Sequence, residues 1–87
     1  MWYIYVLKSN QDKMMYTGCT NDLRKRIELH NAGKVPSTKL RHPLVLIYYE
    51  AYLNKFDAFE RERWLKSGWG RHYLKRILKH YFNGKNN

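Results

Sequence analysis

Trp2 to Leu7 (WYIYVL) is the stretch that most limits what this 87-residue chain can fold into. It is aromatic and β-branched with no charged residue, a pattern of burial on both faces, so it reads as a central strand. Ser9 to Lys13 (SNQDK) is a polar turn, and Met14 to Gly18 (MMYTG) is a second short strand. The two predict a β-hairpin at the start of the chain.

The rest follows by punctuation. Thr20, Asn21 and Asp22 are helix N-cap types, and the helix they open runs to about Ala32, with Gly33 able to end it. Lys34 to Pro43 (KVPSTKLRHP) holds both prolines and is a loop. Leu44 to Tyr52 (LVLIYYEAY) is a third strand. Asn54 caps a second helix from about Lys55 to Ser67, broken by Gly68 and Gly70. A third helix is expected from about Arg71 to Phe82, with Tyr73, Leu74, Ile77, Leu78 and Tyr81 on one face. The order β-β-α-β-α-α makes the chain α+β, a small antiparallel sheet covered by helices. No repeat or linker interrupts it, so one domain is expected over 1–83, with a frayed tail at 84–87.

Composition excludes several classes. The single Cys19 rules out an internal disulfide and any Cys-rich zinc site. The longest apolar run, Leu44 to Tyr49, is strand-sized and far short of the ~20 residues of a membrane helix. No charged segment followed by an apolar one opens the chain, so a reduced, cytoplasmic setting is the expectation. Seventeen Lys and Arg against seven Asp and Glu give a net charge of +10, which favours a polyanionic partner. Arg61 to Lys85 contains eight basic residues and one acid, Glu62. Such a lone carboxylate either feeds a salt bridge or binds a metal.

Two charged residues fall on arcs that helical geometry assigns to the core. At about 100° per residue, Arg26 and His30 border the stripe of Leu23 and Ile27, while Arg24, Lys25 and Glu28 point away. Glu62 falls among Ala58, Phe59 and Leu65. The plain alternatives are a snorkelling Arg26, a satisfied boundary His30, and a Glu62 paired with Arg26, Arg61 or Lys66. A buried, unpaired carboxylate is costly, so a side-chain cation or a metal ion must meet Glu62. Tyr3 and Tyr5 share one face of the first strand, and Tyr16 on the next strand can approach one of them. Gly18 is expected to end its strand where a bulkier residue would obstruct close backbone approach.

In this combination the chain resembles the GIY-YIG nucleases. The two name motifs appear as Tyr3-Ile4-Tyr5 and Tyr16-Thr17-Gly18, with Arg26 eight residues past Gly18, His30 four further, and Glu62 in Glu62-Arg63-Trp64-Leu65-Lys66. His30-Asn31-Ala32-Gly33-Lys34, the Ser37-Thr38 loop and Pro43 resemble the small stand-alone bacterial members. The resemblance implies a three-stranded antiparallel sheet flanked by helices and a nuclease using one divalent ion, Mg²⁺ or Mn²⁺. It implies Glu62 as the metal ligand, Arg26 on a phosphate oxygen, Tyr5 or Tyr16 activating and positioning water, and His30 orienting water or contacting phosphate. The chain departs from the pattern at Tyr3, where the family name has glycine. It departs again at Cys19, where some repair nucleases have lysine, and at Leu74 to Ile77, where several members place asparagine.

A basic surface accompanies this set. Arg71, Lys75 and Lys79 recur every four residues as one stripe, and Lys34, Lys39 and Arg41 decorate the proline loop without an acid nearby. With Lys66 and Tyr3 they are the candidate nucleic-acid contacts, suited to backbone or shape rather than base sequence. The expected function is metal-dependent cleavage of DNA that is structured, damaged or single-stranded, by a monomer, with DNA favoured over RNA. The alternatives are a non-catalytic nucleic-acid-binding module of the same fold and a protein-interaction domain.

Overall fold

The computed structural model describes residues 1–84. Of the tail expected to fray, 85–87 lie outside the described residues. Strand β1 (Trp2–Ser9) pairs antiparallel with β2 (Met15–Thr20) on one side and with β3 (Leu44–Tyr52) on the other, giving the order β2-β1-β3. The first strand is central, as its composition requires. Ile4, Tyr5, Val6 and Leu7 are all buried, and alternate residues face opposite sides.

Those two sides carry different helices. Ile4 and Val6 pack with Ala58, Leu65 and Leu74, beneath α2 (Lys55–Lys66) and α3 (Gly68–Ile77). Tyr5 and Leu7 pack with Leu44 and with the half-buried Tyr16, Leu23, Ile27 and Leu46, on the side of α1 (Leu23–Asn31). The α+β sheet flanked by helices is therefore as the sequence implies.

Capping sets the helix ends. The Asp22 side chain accepts from the Lys25 N–H to open α1. Gly33 closes it at φ 72°, its N–H bonded to the His30 carbonyl while Lys34 N–H reaches the Leu29 carbonyl. Asn31 then clasps both backbone groups of Leu44 at 2.7 and 2.9 Å, tying the end of α1 to the start of β3.

Three boundaries differ from expectation. Strand β2 continues past Gly18 to Thr20 because Gly18 is fully paired, opposite Tyr5. The helix break after α2 is a single residue, Ser67, whose N–H bonds the Trp64 carbonyl and whose hydroxyl accepts from Gly70 N–H. Gly68 and Gly70 therefore begin α3 rather than separate the helices. At Gly70 a Cβ would fall on the Leu65 backbone and the Trp64 carbonyl, so glycine lets the elbow close. The third helix is also not continuous: it ends at Ile77 and restarts as the short α4 (Lys79–Phe82). Leu74 stays buried, but Ile77 and Tyr81 lie on the exposed side of that break.

Candidate active site

The sheet register builds the site. Tyr5 lies opposite Gly18, and Tyr16 sits two residues along β2 on the same face. A Cβ at position 18 would land on the Tyr5 hydroxyl and ring carbon. The missing side chain therefore admits the Tyr5 ring, not a second backbone as the sequence suggested. The rings of Tyr5 and Tyr16 lie 6.4 Å apart, each edge-on to His30 at 5.6 and 5.1 Å.

His30 is fully buried, and both ring nitrogens are used. Nε2 is 2.9 Å from the Tyr5 hydroxyl and Nδ1 is 2.7 Å from Thr38 Oγ1. Thr38 is delivered by a 3-10 turn, Pro36–Thr38, inside the proline loop. Burial and the nearby Arg26 charge push the His30 pKa down to about 4, so the ring is neutral at pH 7. A direct contact from His30 to water or phosphate is not what this geometry offers: its reach to the solvent side runs through Tyr5.

Arg26 donates from Nε to the same Tyr5 hydroxyl at 3.4 Å. Burial raises the Tyr5 pKa, and the Arg26 hydrogen bond pulls against that rise. The Tyr16 hydroxyl is less committed and, among the described residues, accepts only a long bond from Ser37 Oγ, at 3.4 Å.

Glu62 approaches from the other side of the sheet, on α2. Its side chain is 21% exposed, and its carboxylate meets Lys66 Nζ at 2.9 Å, one helical turn on. Among the described residues no acid is within ion-pair reach of Arg26. The Glu62 charge is nevertheless felt at both Tyr5 and Cys19, where burial is the larger influence and Glu62 adds to the upward shift. No group of three or more His, Cys, Asp or Glu residues gathers anywhere among the described residues. A single carboxylate suits a hard divalent ion held mainly through water and substrate phosphate, and does not suit a protein-enclosed zinc site.

Comparison with known proteins decides the family. The model of the GIY-YIG catalytic domain matches residues 1–73. The chain belongs to the GIY-YIG family. It is 45% identical over 67 residues to a UPF0213 protein of Clostridium perfringens, covering 76% of this chain and 71% of the relative. A UPF0213 protein of Staphylococcus haemolyticus is 42% identical over 75% of this chain and 79% of its own length. A third, from Streptococcus pyogenes, is 46% identical over 74% and 70%. No solved structure matches. GIY-YIG membership places the chain in a nuclease family that generally depends on a divalent metal, and implies nucleic acid as partner. Among the described residues no helix is long and apolar enough to cross a membrane.

The basic residues of this GIY-YIG domain are not all free. Arg41 was expected to lack an acid, but its guanidinium bonds Asp12 at 2.7 Å and reaches the Met14 and Met15 carbonyls. Chain reversal in the hairpin brings Asp12 beside the proline loop, so Arg41 is a structural clasp. The expected single stripe of Arg71, Lys75 and Lys79 is divided, because Lys79 begins α4. Arg71 also donates to the Lys66 carbonyl at 3.0 Å. Lys34 and Lys39 are exposed on the loop, and Tyr3 lines a depression with Tyr49, apart from the Tyr5 hydroxyl.

Sequence reasoning missed one participant in the site and one supporting network beside it. Thr38 was noted only as part of a motif, and nothing local signalled that it would orient His30. Glu50, on β3, forms a two-pronged ion pair with Arg61 at 2.8 and 2.9 Å and accepts from the Tyr48 and Tyr52 hydroxyls. Burial pushes the Glu50 carboxyl up, but these donors outweigh it and hold the carboxyl below its ordinary value. The helix-face argument could not see Glu50, since it lies on a strand and its partner Arg61 lies on the helix that follows, adjacent only across the fold.

Proposed function

We propose that this chain is a divalent-metal-dependent endonuclease that hydrolyses phosphodiester bonds in DNA. The observation that carries this reading is the separation of Arg26 from Glu62. Opposite charges from different elements bear on the Tyr5 hydroxyl, yet they do not pair with each other: Arg26 gives Nε to that hydroxyl and Glu62 meets Lys66. Neither charge is spent on the other, which supports a phosphate on Arg26 and a cation on Glu62.

In this reading Arg26 keeps its terminal guanidinium donors for a phosphate oxygen while Nε holds Tyr5. Neutral His30, fixed by Thr38, holds the Tyr5 hydroxyl in one position. Tyr5 and Tyr16 place the attacking water. A tyrosine titrates near ~10 when free, so deprotonation of the buried Tyr5 needs the positive charge that Arg26 turns toward it. Glu62 would hold the metal, with Lys66 released to solvent or to the substrate backbone. A bound Mg²⁺ or Mn²⁺ would neutralise the scissile phosphate and favour departure of the leaving oxygen. A cytoplasmic monomer is the setting we infer.

The test is nicking of plasmid, branched and single-stranded DNA with Mg²⁺ or Mn²⁺, using Glu62→Ala and Arg26→Ala as controls. Metal-dependent cleavage that both variants lose is the expected result. Equal activity in all three proteins would trace the cleavage to a contaminant and sink the assignment. A binding module without turnover is the second reading, favoured by the neutralisation of Glu62 by Lys66. It predicts salt-sensitive binding and no cleavage on any substrate.

A further inference from the structure

Trp69 follows Gly68 in the first turn of α3 and is 78% exposed, which is unusual for the largest apolar side chain. With Trp64, 40% exposed, and with His72, Tyr73 and Arg76 it lines an open cleft of about 580 Å³. The cleft has a rigid floor. Arg61 sits 5.0 Å from the ring centres of both Trp64 and Tyr73, and is itself pinned from behind by Glu50. Trp64 and Tyr73 meet edge to face at 5.4 Å, and Arg76 lies over Tyr73 at 5.5 Å.

The cleft does not stand alone. His72 also lines a neighbouring depression of about 290 Å³ with Arg71 and Lys75. Arg71 in turn lines a third hollow, with Lys66 and with Tyr16 of the candidate active site. The three depressions adjoin around the Ser67 elbow, His72 standing between the first two and Arg71 between the last two. The track they make runs from Tyr16, past a cationic stretch, to the tryptophans. The only acid between Arg61 and Lys79 is Glu62, and Lys66 neutralises it.

We infer that this track binds an unpaired DNA strand, with phosphates on Lys66, Arg71 and Lys75 and nucleobases stacked on Trp69 and Trp64. The inference rests on the nuclease reading above for the choice of DNA. Aromatic faces beside a cationic path are what single strands need, because every base offers a π-face and the backbone a regular charge. A duplex keeps its bases stacked on each other and cannot use the tryptophans. The substrate class is therefore DNA with an unpaired stretch beside the scissile bond.

The test is binding of the full chain to a fluorescein-labelled thymidine oligonucleotide of about twelve residues. It is run in EDTA, so that no cleavage interferes. An oligomer of equal length bearing abasic sites keeps the phosphates and removes the bases. Trp69→Ala should weaken thymidine binding about ten- to hundred-fold and leave abasic binding unchanged, with Trp69→Phe recovering part of the loss. The exposed Trp69 ring contributes little to the core, and circular dichroism of each variant checks that the fold is kept. Equal binding of wild type to both oligomers, or unchanged thymidine binding by Trp69→Ala, would overturn the inference. Preference for the matching uridine RNA would overturn the assignment to DNA. These outcomes separate from those of the nuclease reading. Tryptophan-dependent binding without any Glu62-dependent cleavage removes the catalytic proposal alone, and Glu62-dependent cleavage indifferent to Trp69 removes this one alone.

Discussion

Glu62 pairs with Lys66 at 2.9 Å along α2, and Arg26 gives its Nε to Tyr5. The two residues that sequence geometry set against each other are thus not partners. A helical pair of this spacing contributes only about 0.2–0.5 kcal/mol and its lysine end is exposed, so Lys66 is easily displaced. Glu62→Gln should therefore leave the melting temperature nearly unchanged while lowering metal-dependent cleavage by about a hundredfold or more, a size typical of losing a group that stabilises transition-state charge. A loss of fold matching the loss of activity would reassign Glu62 to structure.

Glu50 makes the opposite prediction. It holds Arg61 bidentately and two tyrosine hydroxyls, all away from Tyr5. Glu50→Ala strands these donors and a partly buried guanidinium, and should cost about 2–4 kcal/mol in urea unfolding. Cleavage per folded molecule should survive. The two carboxylates then divide cleanly, one by activity and one by stability.

Cys19 reports on Glu62 without any turnover. Burial raises its thiol pKa, and the Glu62 charge raises it further. Neutralising that charge must favour the thiolate. Glu62→Gln should shift the pH midpoint of iodoacetamide alkylation downward, and Mg²⁺ or Mn²⁺ should do the same in the wild type only. As Cys19 is the single cysteine, the signal is unambiguous. A midpoint indifferent to metal would argue against Glu62 as ligand.

His30 gives a pH signature. Its pKa falls from 6.5 to about 4 on folding, so the unfolded chain binds the proton more tightly. Stability from this group is fully present above about pH 6.5 and is lost as pH falls toward about 4. One proton taken up on unfolding gives a slope approaching about 1.4 kcal/mol per pH unit inside that window. Urea unfolding of wild type and His30→Gln across the window measures it. The variant should be less stable at neutral pH and flatter toward acid. Equal slopes would refute the buried neutral ring.

The glycines separate by what a methyl group would meet. Gly18→Ala drives a Cβ into the Tyr5 hydroxyl, and Gly70→Ala drives one into the Leu65 backbone. Each should destabilise by about 1–3 kcal/mol, with Gly18→Ala also losing cleavage. Gly68→Ala meets open space and should be neutral or up to about 1 kcal/mol stabilising. Thermal melts of the three variants give the order directly.

These contrasts mark how far the sequence could be read. The strands, the α1 caps and the approach of Tyr16 to Tyr5 were legible, because they depend on periodicity and on short-range register, while the convergence of Arg26 and His30 on those tyrosines was implied by the GIY-YIG resemblance. The role of Gly18 was misjudged because strand pairing, and not local sequence, sets Tyr5 opposite it. The Arg41 clasp and the Glu50–Arg61 pair join residues on different elements, which no helix-face argument can bring together. The Ser67 elbow was blurred because two nearby glycines resemble a breaker, while one of them lets two helices touch.

The central position of β1 has a last consequence, for the order in which the molecule comes apart. Tyr5 belongs to the strand hydrogen-bonded on both sides, whose amides should exchange with solvent only on global unfolding. Glu62 and Lys66 flank Leu65, which is buried in the core, so their backbone is anchored while their side chains reach the surface. The acid and the lysine can thus exchange partners by side-chain rotation, while the tyrosine and histidine keep theirs inside the slow-exchanging core.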